Sequence, residues 1–143
     1  PFLDFIINYK KQMMDQKEIR FRLELDVYEY PFDEAELGIL LGNLLDNAIE
    51  ACEKCVPEKR EIYLRIWNVG YMFMLKITNS SSKSPEMSGQ RFLTDKADRN
   101  VHGMGVEQVK RIVKKYGGNI AFQCNGEQFE TKLIVPIMKE EEE

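Results

Sequence analysis

Apolar positions along this chain change period several times, and each change marks an element. Over residues 1–17, Phe2, Phe5, Ile6, Tyr9 and Met13 recur at helical spacing above a polar opposite face, which predicts a helix. Ile19, Phe21, Leu23, Leu25 and Val27 then alternate with Arg20, Arg22, Glu24 and Asp26, the pattern of a half-buried strand ended by Tyr30-Pro31. Asp33 is suited to cap a long helix running to about Cys55 and stopped before Pro57. Its Leu37, Leu40, Leu41, Leu44, Leu45, Ala48, Ile49 and Cys52 form one apolar face. Asn43, Asn47, Glu50 and Lys54 form a polar stripe beside it.

Two hairpins follow. Glu61 to Trp67 and Tyr71 to Asn79 are rich in β-branched and aromatic residues and meet at Asn68-Val69-Gly70. Asn119 to Cys124 and Gln128 to Pro136 meet at Asn125-Gly126, a strong turn dipeptide. Between the hairpins, Val106, Val109, Ile112, Val113 and Tyr116 predict a helix over about 106–116, with Gly117-Gly118 stopping it. The order predicts a two-layer α/β sandwich, with helices on one face of a mixed five-stranded sheet. Residues 80–102 show no sustained period, and a polar loop of that length inside a domain is usually functional or disordered.

Composition narrows the function classes. With 143 residues and 43% hydrophobic content the chain can build one core. The net charge is −4, and much of it sits in the acidic tail 139–143; the nearly neutral remainder argues against direct nucleic-acid binding. No stretch approaches the roughly 18 to 20 apolar residues of a membrane-crossing helix. Pro1-Phe2-Leu3-Asp4 offers neither a start methionine nor the features of a signal peptide; the abrupt start looks like that of a piece of a longer chain, whose upstream sequence could hold a membrane anchor. Cys52-Glu53-Lys54-Cys55 has the spacing of a redox pair or half a zinc site, but no second pair accompanies it. We read these two thiols as small residues near a helix end, and Cys124 as core.

Three features recur in one order: an Asn-rich helix stripe, a strand ending on a polar residue, and Gly103-Met104-Gly105 opening a helix after the long loop. Gly42-Asn43-Leu44-Leu45-Asp46-Asn47-Ala48-Ile49-Glu50-Ala51 resembles the N box of the GHKL superfamily, which unites gyrase, heat-shock chaperone, histidine kinase and MutL ATPases. His102-Gly103-Met104-Gly105-Val106 resembles its second glycine box. The similarity runs from about Ile19 to Ile137 and implies the Bergerat ATP-binding fold. Ile77-Thr78-Asn79-Ser80, where other members begin a first glycine box with Asp, is similar to the AgrC-like and VirS-like sensor histidine kinases of Gram-positive peptide-sensing systems. So are Thr94-Asp95-Lys96 and the run from Val109 to Gly118.

This resemblance implies ATP and Mg²⁺ as ligands. Asn47 would lend Mg²⁺ an amide oxygen, with Asn43 one turn earlier adding a second polar contact. Asn79 can match the N6 donor and N1 acceptor of adenine, and Thr131 stands where the family often has a Thr near the base. Gly103 and Gly105 would let backbone N–H groups approach phosphates at the start of a helix. Lys96 would close over the γ-phosphate, and His102 would contact the lid or the phosphates rather than accept phosphoryl. Residues 80–102 then become an ATP lid within a catalytic domain spanning 18–138, and residues 1–17 the tail of an upstream dimerisation domain. Asn43 replaces the Glu that activates water in hydrolysing relatives, which disfavours rapid hydrolysis.

The implied activity is transfer of the ATP γ-phosphoryl to a histidine in a separate dimerisation domain, and thence to a response regulator, of LytTR type by resemblance. The parent would be a membrane-anchored homodimer that holds this domain in the cytoplasm and takes part in quorum sensing. Two other readings stand beside it: an anti-sigma-factor-type serine kinase, and a non-catalytic interaction module that keeps the fold.

Overall fold

The computed structural model describes residues 1–82 and 96–137, with residues 96–104 described by backbone alone. Its elements are α1 (Phe2–Gln16), β1 (Arg20–Asp26), α2 (Glu34–Glu53), β2 (Glu61–Val69), β3 (Met72–Ser80), α3 (Lys96–Lys115), β4 (Asn119–Asn125) and β5 (Gln128–Pro136). The strands form one sheet in the order β1-β2-β3-β5-β4. β1 and β2 are parallel, joined through α2, and the other pairs are antiparallel. This is the expected two-layer sandwich on a mixed five-stranded sheet.

Strict alternation decides which sheet face carries the core. Ile62, Leu64 and Ile66 of β2, Phe73, Leu75 and Ile77 of β3, and Leu133 and Val135 of β5 are buried under the apolar face of α2. Asp33 accepts from the Glu36 N–H at 2.8 Å while Glu36 accepts from the Asp33 N–H at 3.1 Å, a complete capping box that fixes where α2 begins. α1 and α2 run parallel: Phe2 lies against Gly38, Lys10 pairs with Asp46 at 2.6 Å, and Lys17 pairs with Glu53. Leu3, Ile6, Ile7 and Met14 of α1 join the same core as α2, so residues 1–17 pack as a layer of this domain.

The buried face of α1 differs from the expected one. Phe5 and Tyr9 are 67% and 58% exposed, because burial centres on Leu3, Ile7 and Met14 and places those aromatics well round the helix from it. Leu23 and Leu25, expected to be half-buried, are each 38% exposed: β1 is an edge strand, and the helix layer covers it incompletely. Asn68 is not a turn residue. It pairs with Phe73 inside the hairpin, and its Oδ1 accepts from the N–H groups of Tyr28 and Glu29 at 2.8 and 3.2 Å.

The largest correction concerns α3, which begins at Lys96 rather than near Val106. Gly103 and Gly105 therefore lie within the helix and do not open it. Ser80 closes β3, so the aperiodic stretch is also shorter at its front than 80–102. Residues 83–95, which hold most of the expected lid, and the tail 139–143 lie outside the described residues. At its other end α3 stops as expected: the Gly118 N–H reaches back to the Val113 carbonyl at 2.9 Å and Gly117 adopts φ 76°. A Cβ on Gly118 would stand 2.5 Å from the Ile134 carbonyl oxygen, so the chain passes the sheet there only as glycine.

Candidate functional site

Two polar side chains break the apolar inner face of the sheet. Asn79 and Thr131 are each 4% exposed, and both belong to the helix-facing rows of β3 and β5. Thr131 pairs with Ile77 and Asn79 with Phe129, which makes the two polar residues diagonal neighbours, about 7 Å apart. The Asn79 Nδ2 donates to the Ser80 carbonyl at 2.8 Å. Among the described residues no donor reaches its Oδ1, and the Thr131 hydroxyl has no hydrogen-bond partner. Buried polar atoms of native proteins are nearly always paired, so these two mark a place for a ligand or ordered water.

The last turn of α2 lies over this end of the sheet. Cys52 Sγ donates to the Glu61 carbonyl at 3.5 Å, and the Glu61 N–H donates to the Ser80 hydroxyl at 3.0 Å. Asn47 stands about 7 Å back along the helix axis from Cys52, and Asn43 one turn further. Both are half-buried, as the expected polar stripe requires. The Asn43 Nδ2 donates to the Ile39 carbonyl at 2.9 Å and to Gln108 Oε1 of α3 at 3.3 Å. Its Oδ1 faces α3 closely enough that a Cβ on Gly105 would come within 2.9 Å of it. The glycine thus has a visible job here, close helix approach. The phosphate cradle expected of Gly103 and Gly105 at a helix start is not the arrangement seen, since their N–H groups belong to the interior of α3.

The α2–α3 pair is antiparallel. One end joins Glu36 to Lys115 at 2.5 Å and to the Tyr116 hydroxyl, and the other joins Asn43 to Gln108. Carried one turn further, that register sets Asn47 level with the Gly103–Met104 backbone. Asn47 itself has no hydrogen-bond partner among the described residues. Lys96 is the first residue of α3 and His102 begins the glycine-containing turn, but the contacts expected of the Lys96, His102 and Met104 side chains lie outside the described residues.

Sequence reasoning missed Gln108 and Arg60. Gln108 bridges the helices at the amide stripe, and only a contact across 65 positions reveals it. Arg60 donates to the carbonyls of Lys17, Glu53 and Cys55 at 2.7, 3.3 and 2.9 Å, holding the negative ends of both α1 and α2 beside the site. Cys52 is buried and Cys55 half-buried, both as free thiols. Burial pushes both above the ordinary thiol value of 9.0, which disfavours the thiolate that redox or zinc chemistry needs. Cys124 is core, as expected. A groove of about 810 Å³ opens where the end of α2 meets Ser80 to Ser82 and the β4–β5 turn, but Asn43, Asn47 and Thr131 do not line it. The amide stripe is instead covered by α3.

The family model described as the GHKL domain matches residues 33–136. No curated protein matches by sequence. Among solved structures, the nucleotide-free catalytic domain of the histidine kinase ThkA superposes with a TM-score of 0.73 at 18% identity, over 97% of this chain and 93% of that one. The mycobacterial sensor histidine kinase MprB gives 0.69 at 18% identity, over 94% of this chain and 93% of its own. The Acinetobacter baumannii histidine kinase AdeS gives 0.66 at 18% identity, over 96% of this chain and 64% of its own. At such identities the likeness is one of fold.

Proposed function

The chain belongs to the GHKL domain family and has the fold of histidine-kinase catalytic domains, and from that premise we propose that it binds ATP and passes the γ-phosphoryl to a histidine of a separate domain. The observation that carries the reading is the orphaned pair of buried acceptors, Asn79 Oδ1 and the Thr131 hydroxyl, beside the amide stripe of α2. An exocyclic amine such as adenine N6 supplies the donor that Asn79 Oδ1 lacks. Thr131 offers a second hydrogen bond on the same face of the sheet.

Mg²⁺ suits the amide oxygens nearby, with Asn47 as the holder and Asn43 as its neighbour, since it takes hard oxygen ligands. When bound, it would neutralise charge on the phosphates. Asn43 cannot accept a proton from water, so hydrolysis is slow, whereas a neutral histidine needs only positioning. Lys96 is the cation of the lid, with His102, Gly103, Met104 and Gly105 beside the phosphates. Because Gly103 and Gly105 are helical here, phosphate binding through their N–H groups requires the first turns of α3 to rearrange.

Placement in the AgrC-like and VirS-like group, with Asn79 in place of the usual Asp, belongs to the same proposal. So do a LytTR-type response regulator, a membrane-anchored homodimeric parent, its cytoplasmic placement and a role in quorum sensing.

Calorimetric titration of ATP with and without Mg²⁺ tests the binding step. Binding that needs Mg²⁺ and weakens about 10-fold or more in Asn47→Ala supports it. A folded domain that ignores millimolar Mg-ATP would instead be an interaction module. Phosphoryl transfer to a supplied histidine-bearing dimerisation domain, rather than to a serine substrate, then separates the histidine kinase from the serine kinase.

A further inference from the structure

All three helices pack on the inner face of the sheet, which leaves the outer face without a covering layer among the described residues. Register fixes what that face displays. Arg65, Lys76 and Lys132 stand directly opposite one another on β2, β3 and β5, three cations abreast. Arg65 has Glu24 at 3.7 Å and stacks 3.9 Å from the Trp67 ring. Neither Lys76 nor Lys132 has a carboxylate within ion-pair distance among the described residues. Like charges set directly opposite across strands oppose folding, so this row is an arrangement that an anionic partner would relieve.

The next row toward the β2–β3 turn is apolar: Trp67, Met74 and Ile134 in register, followed by Val69, Met72 and Pro136. Val69 is 56% exposed, and the other five are half-buried. A contiguous apolar strip beside a cationic row is the footprint of a protein-docking surface. An anionic bilayer fits less well, because the face also carries Glu24, Asp26, Glu61 and Glu130 and the whole chain is negative at −4. We propose that the outer face of the sheet docks a protein segment that presents apolar side chains beside a row of carboxylates. The strip lies at the β2–β3 turn, the opposite end of β3 from Asn79, so docking leaves the nucleotide site open.

Trp67 is the only tryptophan in the chain and sits in the strip, so its emission reports docking directly. The probe is a synthetic helical peptide with Leu along one face and Glu along its flank. It is compared with a scrambled peptide of the same composition, a peptide with Lys in place of Glu, and phosphatidylglycerol/phosphatidylcholine vesicles. We expect a saturable blue shift with the Glu peptide. The double variant Lys76→Glu/Lys132→Glu should bind it at least 10-fold more weakly and should switch preference to the Lys peptide, while circular dichroism and Mg-ATP binding stay unchanged. No saturable shift, equal binding of the scrambled peptide, or failure of the charge reversal to switch preference would overturn the proposal. A shift with vesicles alone would replace the protein partner by a membrane.

Discussion

The two ends of the α2–α3 pair are built from different chemistry. At one end Glu36 holds its own helix cap, the Lys115 ammonium at 2.5 Å and the Tyr116 hydroxyl, with only 12% of its side chain exposed. At the other end the helices meet through neutral amides, Asn43 to Gln108 at 3.3 Å, with Gly105 pressed against Asn43. A half-buried charge that satisfies three partners is costly to disturb, whereas an amide pair exchanges partners at little net cost. The contrast assigns stability to the first end and ligand exchange to the second. It also fits where orphaned acceptors occur, since Asn79 and Thr131 are at the amide end.

Breaking the charged end should have the largest effect. Glu36→Ala removes the capping box and both contacts to α3 and is expected to cost about 2 kcal/mol, a Tm fall on the order of 5 °C by calorimetry. Mg-ATP affinity measured below that Tm should change little. A variant as stable as the parent would remove the distinction between the ends.

The same carboxylate gives the pair a pH signature. Burial pushes the Glu36 carboxyl up, but the hydrogen bonds from Lys115, Tyr116 and the Asp33 N–H outweigh it and hold the group below its ordinary 4.5. A carboxyl depressed in the folded state adds stability that is complete above the unfolded value and lost as pH falls through the folded one. Acid unfolding curves should therefore be flatter below pH 4.5 for Glu36→Gln than for the parent.

At the amide end the effects are smaller for stability than for the ligand. Gly105→Ala brings a methyl within 2.9 Å of Asn43 Oδ1, the far end of a side chain that can turn away. We expect less than about 1 kcal/mol in stability and a several-fold change in Mg-ATP affinity, read by thermal melts and calorimetry on one sample. Gln108→Ala should cost at most about 0.5 kcal/mol and leave nucleotide binding equal or tighter, because it frees Asn43. A loss of binding in Gln108→Ala would make the amide bridge part of the binding site rather than its cover.

The charged end was only partly legible in the sequence, and the amide end less so. Asp33 and Glu36 spelled out the capping box, and the unbroken apolar period from Leu37 to Cys52 placed α2 to within two residues. β1 was legible from its alternation, and the first hairpin from β-branched and aromatic runs; both hairpins also carry turn glycines. The start of α3 was not legible, since the stretch from Lys96 to Gly105 has two glycines and no apolar period. The face of α1 was misread because its apolar stripe is wider than the surface available to cover it. Asn43, Asn47 and Asn79 were found through motif resemblance, but the pairing of Asn43 was not, because Gln108 reaches it across 65 positions.

At the amide end, the role proposed for the buried Asn79 Oδ1 is to read an exocyclic amine. Its most direct test compares the affinities of ATP and ITP, which carries a carbonyl in place of that amine, for the parent domain and Asn79→Ala. The parent is expected to prefer ATP by about 10-fold or more, and Asn79→Ala to lower ATP affinity to the ITP level and abolish the preference. Equal binding of the two nucleotides by the parent, or a preference that survives in Asn79→Ala, would contradict it.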